Sequence, residues 1–245
     1  MQDRYVADVG DYGKYGLLRA LLRTDLSLGV IWYRTRPELH TNDGAIRSYL
    51  KKPAHFEDCD APLFRRLCEL ESRRQTGVQL TTKDVESLLP SGTLFFSSIL
   101  GPMRRRRRNH VGSQAQHRRL WHARAQSAVR DQQVVFLDPD NGLGPTHLDH
   151  RKAWKYALGE EISTYLARGQ SVILYHHAGR QQPVSQAVPT ILRRLAVPDS
   201  FAMVFRRGTV RFFLILPTPK LALTLGRRAN EMLEGPWRRH FERCS

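Results

Sequence analysis

Residues Val134-Val135-Phe136-Leu137-Asp138-Pro139-Asp140-Asn141-Gly142-Leu143 constrain this chain most. Four apolar residues, three of them β-favouring, form a run short enough for a buried strand. The run ends in Asp-Pro-Asp-Asn-Gly, a cluster of turn formers. A strand that delivers carboxylates and an amide into a turn places polar chemistry at the carboxyl edge of an α/β sheet. Acids crowded in this way call for a cation, a base edge or a hydroxyl to meet them.

The rest of the chain alternates helical and strand patterns. The expectation is one α/β domain over 1–245, a three-layer sandwich around a mostly parallel sheet. Strands are predicted at Gly29–Tyr33, Val78–Thr81, Leu94–Ile99, Val134–Asp138, Ser171–Tyr175, Phe201–Phe205 and Val210–Leu216. The last two are joined by Arg206-Arg207-Gly208-Thr209, which reads as a hairpin closing the sheet with an antiparallel edge. Helices are predicted at 14–23, 45–51, 61–75, 83–89, 114–130, 151–168, 184–195 and 220–233, with Asp60 and Thr82 as N-caps. A basic loop insertion is expected near 101–113.

Charge narrows the partners. The formal net charge is +16 at pH 7, with Arg104, Arg105, Arg106, Arg107 and Arg108 in one run. Such an excess favours a polyanion, RNA or DNA foremost. Arg118 and Arg119, on the basic 114–130 helix, and Arg180 are further candidates for phosphate contact. No run of about 18 apolar residues is present, so no membrane partner is expected. Three cysteines without CxxC spacing argue against a disulfide scaffold or a cysteine-built zinc site, and the N-terminus lacks a signal-peptide core. A reducing cytoplasm is the expected location.

In a parallel sheet, the loops after successive strands open on one edge. The Arg34–Gly44, Asp138–Gly144 and His176–Arg180 loops would therefore share one cleft. Asp138, Asp140 and Asn141 enter it from the strand Val134–Asp138. Of His176 and His177, adjacent on extended chain, one points to each face. These groups permit amine recognition, general acid–base work, or a divalent site of Asp138, Asp140 and His177 holding Mg²⁺ or Mn²⁺. The stretch Asp8-Val9-Gly10-Asp11-Tyr12-Gly13-Lys14-Tyr15-Gly16 interleaves glycines with charge and allows close backbone approach. It matches neither the Walker A loop nor GxGxxG.

Several pieces together resemble the large-subunit ribosomal-RNA adenine-N6 methyltransferases. Lys14-Tyr15-Gly16-Leu17-Leu18 is similar to their opening helix, and Phe136-Leu137-Asp138-Pro139-Asp140-Asn141 to their catalytic Asp-Pro-Pro-Tyr segment. Val172–His176 and Phe212–Pro219 are similar to their later strands. Asp140 and Asn141 replace the second proline and the aromatic, and no Gly-rich turn follows the first strand. The resemblance implies a methyltransferase-like fold and S-adenosylmethionine-dependent transfer to the amino group of a nucleic-acid base. Asp138, Asn141, Asp140 and His176 would then be catalytic, and Asp11, Lys14, Asp43 and Gly44 would touch the cofactor. Two other classes stay open: a metal-dependent nuclease or phosphoesterase, and a non-catalytic basic nucleic-acid-binding module.

Overall fold

The computed structural model describes residues 3–35, 46–101, 111–144, 153–178 and 182–245. Seven strands form the central sheet: β1 (Leu28–Trp32), β2 (Leu94–Phe96), β3 (Val134–Asp138), β6 (Ser171–His177), β7 (Phe201–Phe205), β8 (Arg211–Leu216) and β9 (Phe241–Cys244). A separate two-stranded pair, β4 (Gly142–Leu143) and β5 (Tyr156–Ala157), follows β3. The sheet order is β2-β1-β3-β6-β8-β7-β9. Pairings from β2 through β6 are parallel, and the remaining three are antiparallel. Strand β7 thus runs with the parallel set, and only β8 and β9 are reversed. The architecture is α/β with a mostly parallel sheet, compatible with a Rossmann-like fold.

Helices cover both faces. On one lie α1 (Val9–Leu22), the short α2 (Pro53–Phe56), α3 (Ala61–Gln75), the short α4 (Lys83–Glu86) and α8 (Pro219–Glu234). On the other lie α5 (Val111–Ala128), α6 (Gly159–Ala167) and α7 (Val184–Leu195). Alternate strand residues feed the two cores: Val134 and Phe136 pack toward α1, while Val135 and Leu137 pack toward α5. Strands covered on both faces read as unbroken apolar runs, which is why β3, β6, β7 and β8 stand out in the sequence.

Several expectations differ from the structure. Residues 78–81 form no strand; Leu80 and Thr82 are buried, and Thr81 instead donates its backbone N–H to the Asp84 carboxylate at 2.9 Å. Thr82 makes no cap bond, whereas Asp60 does cap α3 by accepting from Leu63 N at 3.0 Å. The helix expected over 151–168 is replaced, within its described part, by a 3₁₀ turn, β5 and α6. Helix α1 begins at Val9 rather than Lys14, because Asp8 caps it through Asp11 N at 2.9 Å. Strand β9 was not expected, since Phe-Glu-Arg-Cys carries little apolar signal.

Candidate functional site at the carboxyl edge

The chain leaves β1, goes to β2 on one side, then crosses to β3 on the other. The β1/β3 junction is thus a topological switch point, where open α/β sheets bind ligands. The Asp138–Gly142 turn sits there. Asp138 is in register with Trp32, the last residue of β1. Thr35, just past β1, donates to Asp140 Oδ2 at 3.2 Å and so spans the junction. The turn is stapled from beyond: Asn141 N donates to Lys155 O at 2.9 Å, and Gly144 N to Ala157 O at 2.8 Å. Gly142 has φ +96°, and a Cβ there would lie 2.1 Å from His176 Nδ1, so only glycine fits. Asn141 is half-buried, and its carboxamide makes no hydrogen bond to a described residue.

Asp138 points to the α1 face and is 2% exposed. Lys14 Nζ donates to its Oδ2 at 2.9 Å and to Asp11 Oδ1 at 3.2 Å. The Gly-rich opening and the Asp-Pro-Asp-Asn turn therefore meet in one buried cluster, 124 residues apart in sequence. Two carboxylates share one ammonium. Burial alone would push the Lys14 ammonium down, but Asp138 and Asp11 overcome it and raise its pKa. Burial pushes the Asp11 carboxyl up to about 7, against the Lys14 charge and helped by Asp8 and Asp138. The arrangement is a Lys14–Asp138 ion pair beside a carboxyl that tends to keep its proton. Lys14 also lies 5.0 Å from the centre of the Tyr175 ring and 5.6 Å from that of Trp32. Trp32 Nε1 and Tyr15 Oη are buried in this region without a partner among the described residues.

The two histidines separate as the strand alternation requires. His176 faces the α5 side, stacks on Phe212 and accepts from Leu143 N at 2.8 Å through Nδ1. Burial, with the charges of His177 and Arg194, holds its pKa down to about 4. Its Nδ1 is an acceptor that orders the turn. His177 faces the α1 side within 3.2 Å of Tyr175 Oη. Burial, Arg211 and Lys14 lower it likewise to about 4.

Among the expected phosphate contacts, Arg118 is a correction. It is 5% exposed and binds Glu161 through Nε at 2.7 Å, with Nη1 and Nη2 on the Ala153 and Tyr156 carbonyls. Tyr33 Oη donates to the same carboxylate at 3.2 Å. Arg119 is exposed on α5, as is Arg124. Asp43, Gly44, the Arg104–Arg108 run and Arg180 lie outside the described residues. Sequence reasoning missed Arg211, Thr35 and Glu161; none stands in a motif, and each gains its position only from packing between segments remote in the chain.

Among the described residues no group of three or more His, Cys, Asp or Glu is placed to hold a metal ion. No helix among them is long and apolar enough to cross a membrane. No protein-family model matches the chain, and no curated protein sequence matches it.

Proposed function

We propose that the protein is a methyltransferase of nucleic-acid bases, S-adenosylmethionine-dependent, or a divergent relative with that site. The observation that carries this reading is the switch point itself, with the Asp138–Asn141 turn on one side and Thr35 reaching Asp140 from the other. A mostly parallel sheet extended by the antiparallel β7–β8 hairpin, with β9 as its edge, agrees with it, although a fold alone serves many chemistries. Lys14 fixes Asp138 inward, so Asp138 positions the turn while Asn141 and Asp140 meet the target amine. An amide oxygen there accepts an N–H of the amine and leaves its lone pair free to attack. When bound, the cofactor supplies an electrophilic methyl group. The buried, unpartnered Trp32 indole N–H at the end of β1 fits a polar ligand lying across the junction. Arg119 and Arg124 on α5 join the Arg104–Arg108 run in phosphate contact. The target base must be flipped out or single-stranded.

A metal-dependent nuclease built on Asp138, Asp140 and His177 with Mg²⁺ or Mn²⁺ is less favoured, because Asp138 is already paired with Lys14. Calorimetric titration with S-adenosylmethionine and, separately, Mn²⁺ tests both. Cofactor heat, followed by labelled methyl transfer to RNA or DNA that Asn141→Ala abolishes, is the expected result. Metal heat alone selects the nuclease, and silence from both leaves a non-catalytic binding module.

A further inference from the structure

Beside the β7–β8 link lies a groove of about 720 Å³. That volume is in the range of small-ligand sites, roughly 300–1,000 Å³. Lys51, Lys52, His55 and Arg207 line it, and among the described residues no acidic one does. Lys51, Lys52 and His55 are exposed, and their side chains form no ion pair among the described residues. Arg207 donates to neutral acceptors, His240 Nδ1 at 2.7 Å and the Arg239 carbonyl at 2.8 Å, and forms no ion pair among the described residues. Val9, Tyr49 and Phe56 complete the lining with apolar surface.

A second observation lies behind the Val9 wall. Gly10 packs on the Arg211 guanidinium, where a Cβ would stand 2.1 Å from Nη1. Arg211 is 5% exposed, and its Nε and Nη1 have no hydrogen-bond partner among the described residues. Only Nη2 is engaged, donating to Thr209 Oγ1 at 3.0 Å. Asp8 also borders Gly10; its carboxylate caps α1 and makes no direct bond to the guanidinium. An underpaired buried guanidinium is expensive to keep. Its field in a low-dielectric setting adds to that of the groove cations.

We propose that this groove binds the phosphate of a nucleotide, free or within a strand, through Lys51 and Lys52 over the field of Arg211. Charge selects the anion, and the apolar lining selects a ligand with a ring system over bare phosphate. The proposal deepens the nucleic-acid reading of this edge, yet its readout needs no methyl transfer. Should S-adenosylmethionine give no heat while the groove still binds, the enzyme reading falls and this one stands.

The test measures binding of AMP and of a short labelled single-stranded RNA, over a range of salt, to the full chain and to Lys51→Ser/Lys52→Ser. Both positions are exposed, so the melting midpoint should be unchanged. For the probe that binds, the double variant should raise Kd about tenfold or more and lower the salt slope by about two. AMP binding with the lysine dependence identifies a free nucleotide. The same dependence with RNA alone identifies a strand. Binding to neither probe, or equal Kd and slope in the variant, overturns the proposal.

Discussion

Lys14 shows what one residue does at the edge. Its ammonium lies between two carboxylates in a place water does not reach, with Asp138 and Asp11 only 2% and 1% exposed. Removing one partner of a buried ion pair leaves an uncompensated charge, which typically costs about 3–5 kcal/mol. Lys14→Met should therefore lower the unfolding free energy by about that amount in urea titration. Adding Asp138→Asn should restore part of the loss, since the two residues touch and their effects must couple. A loss below ~1 kcal/mol would mean that the pair contributes no more than a surface bridge. Asp138 was legible in the sequence because it ends an apolar run, but its partner was not. Nothing in local pattern tells which of several lysines crosses from α1 to a strand so distant in the chain. Arg118 misled for the same reason: helical sequence shows that an arginine is present, and only packing against Glu161 turns it inward.

Helix α1 makes the same point for a whole element. Its glycines at 10, 13 and 16 lie three apart, a spacing that keeps them near one face. In sequence they suggested close backbone approach, yet the helix was expected to start only at Lys14. In the structure each marks a close approach. A Cβ at Gly13 would lie 2.9 Å from the Phe205 ring, and one at Gly16 would lie 2.2 Å from that of Trp237. Propensity favours alanine over glycine inside a helix by about 1 kcal/mol. Overpacking a buried contact typically costs about 1–3 kcal/mol. Trp237 is itself wedged against Tyr12, with ring centres 4.9 Å apart, so it has little room to yield. Gly16→Ala should therefore destabilise despite its propensity gain, with a lower melting midpoint and unchanged helical circular dichroism. A higher midpoint would show that Trp237 moves aside without loss. Elements with continuous apolar runs, such as β3 and β8, needed no such context and were readable directly. Strand β9 was not, because an edge strand exposes one face and half its residues are polar.

At the scale of the molecule, what the sequence carried was the alternation of strands and helices and the reversed hairpin. The switch point followed from the strand order, which depends on pairings between remote segments. Buried titrating groups distributed through this sheet also govern how the whole fold responds to pH. Burial holds His176, His177 and His240 down to about 4, against an ordinary value of 6.5. Between those values the unfolded chain takes up protons that the folded chain refuses, so stability is lost as pH falls through this window. Asp11 acts in the opposite sense. Its folded value of about 7 exceeds the ordinary 3.8, so the folded state holds a proton the unfolded state has released. Stability from Asp11 is therefore lost as pH rises toward 7. Three histidines against one carboxyl leave a net uptake of about two protons on unfolding, a slope of up to roughly 3 kcal/mol per pH unit. The urea midpoint should climb steeply from pH 4 to about 6.5, then decline slightly toward 7.5. Asp11→Asn should remove the decline and keep the acid limb. A midpoint that stays level between pH 4 and 6.5 would show that these histidines accept protons in the folded state, and the neutral His176 acceptor that orders the Asp138–Gly142 turn would have to be abandoned.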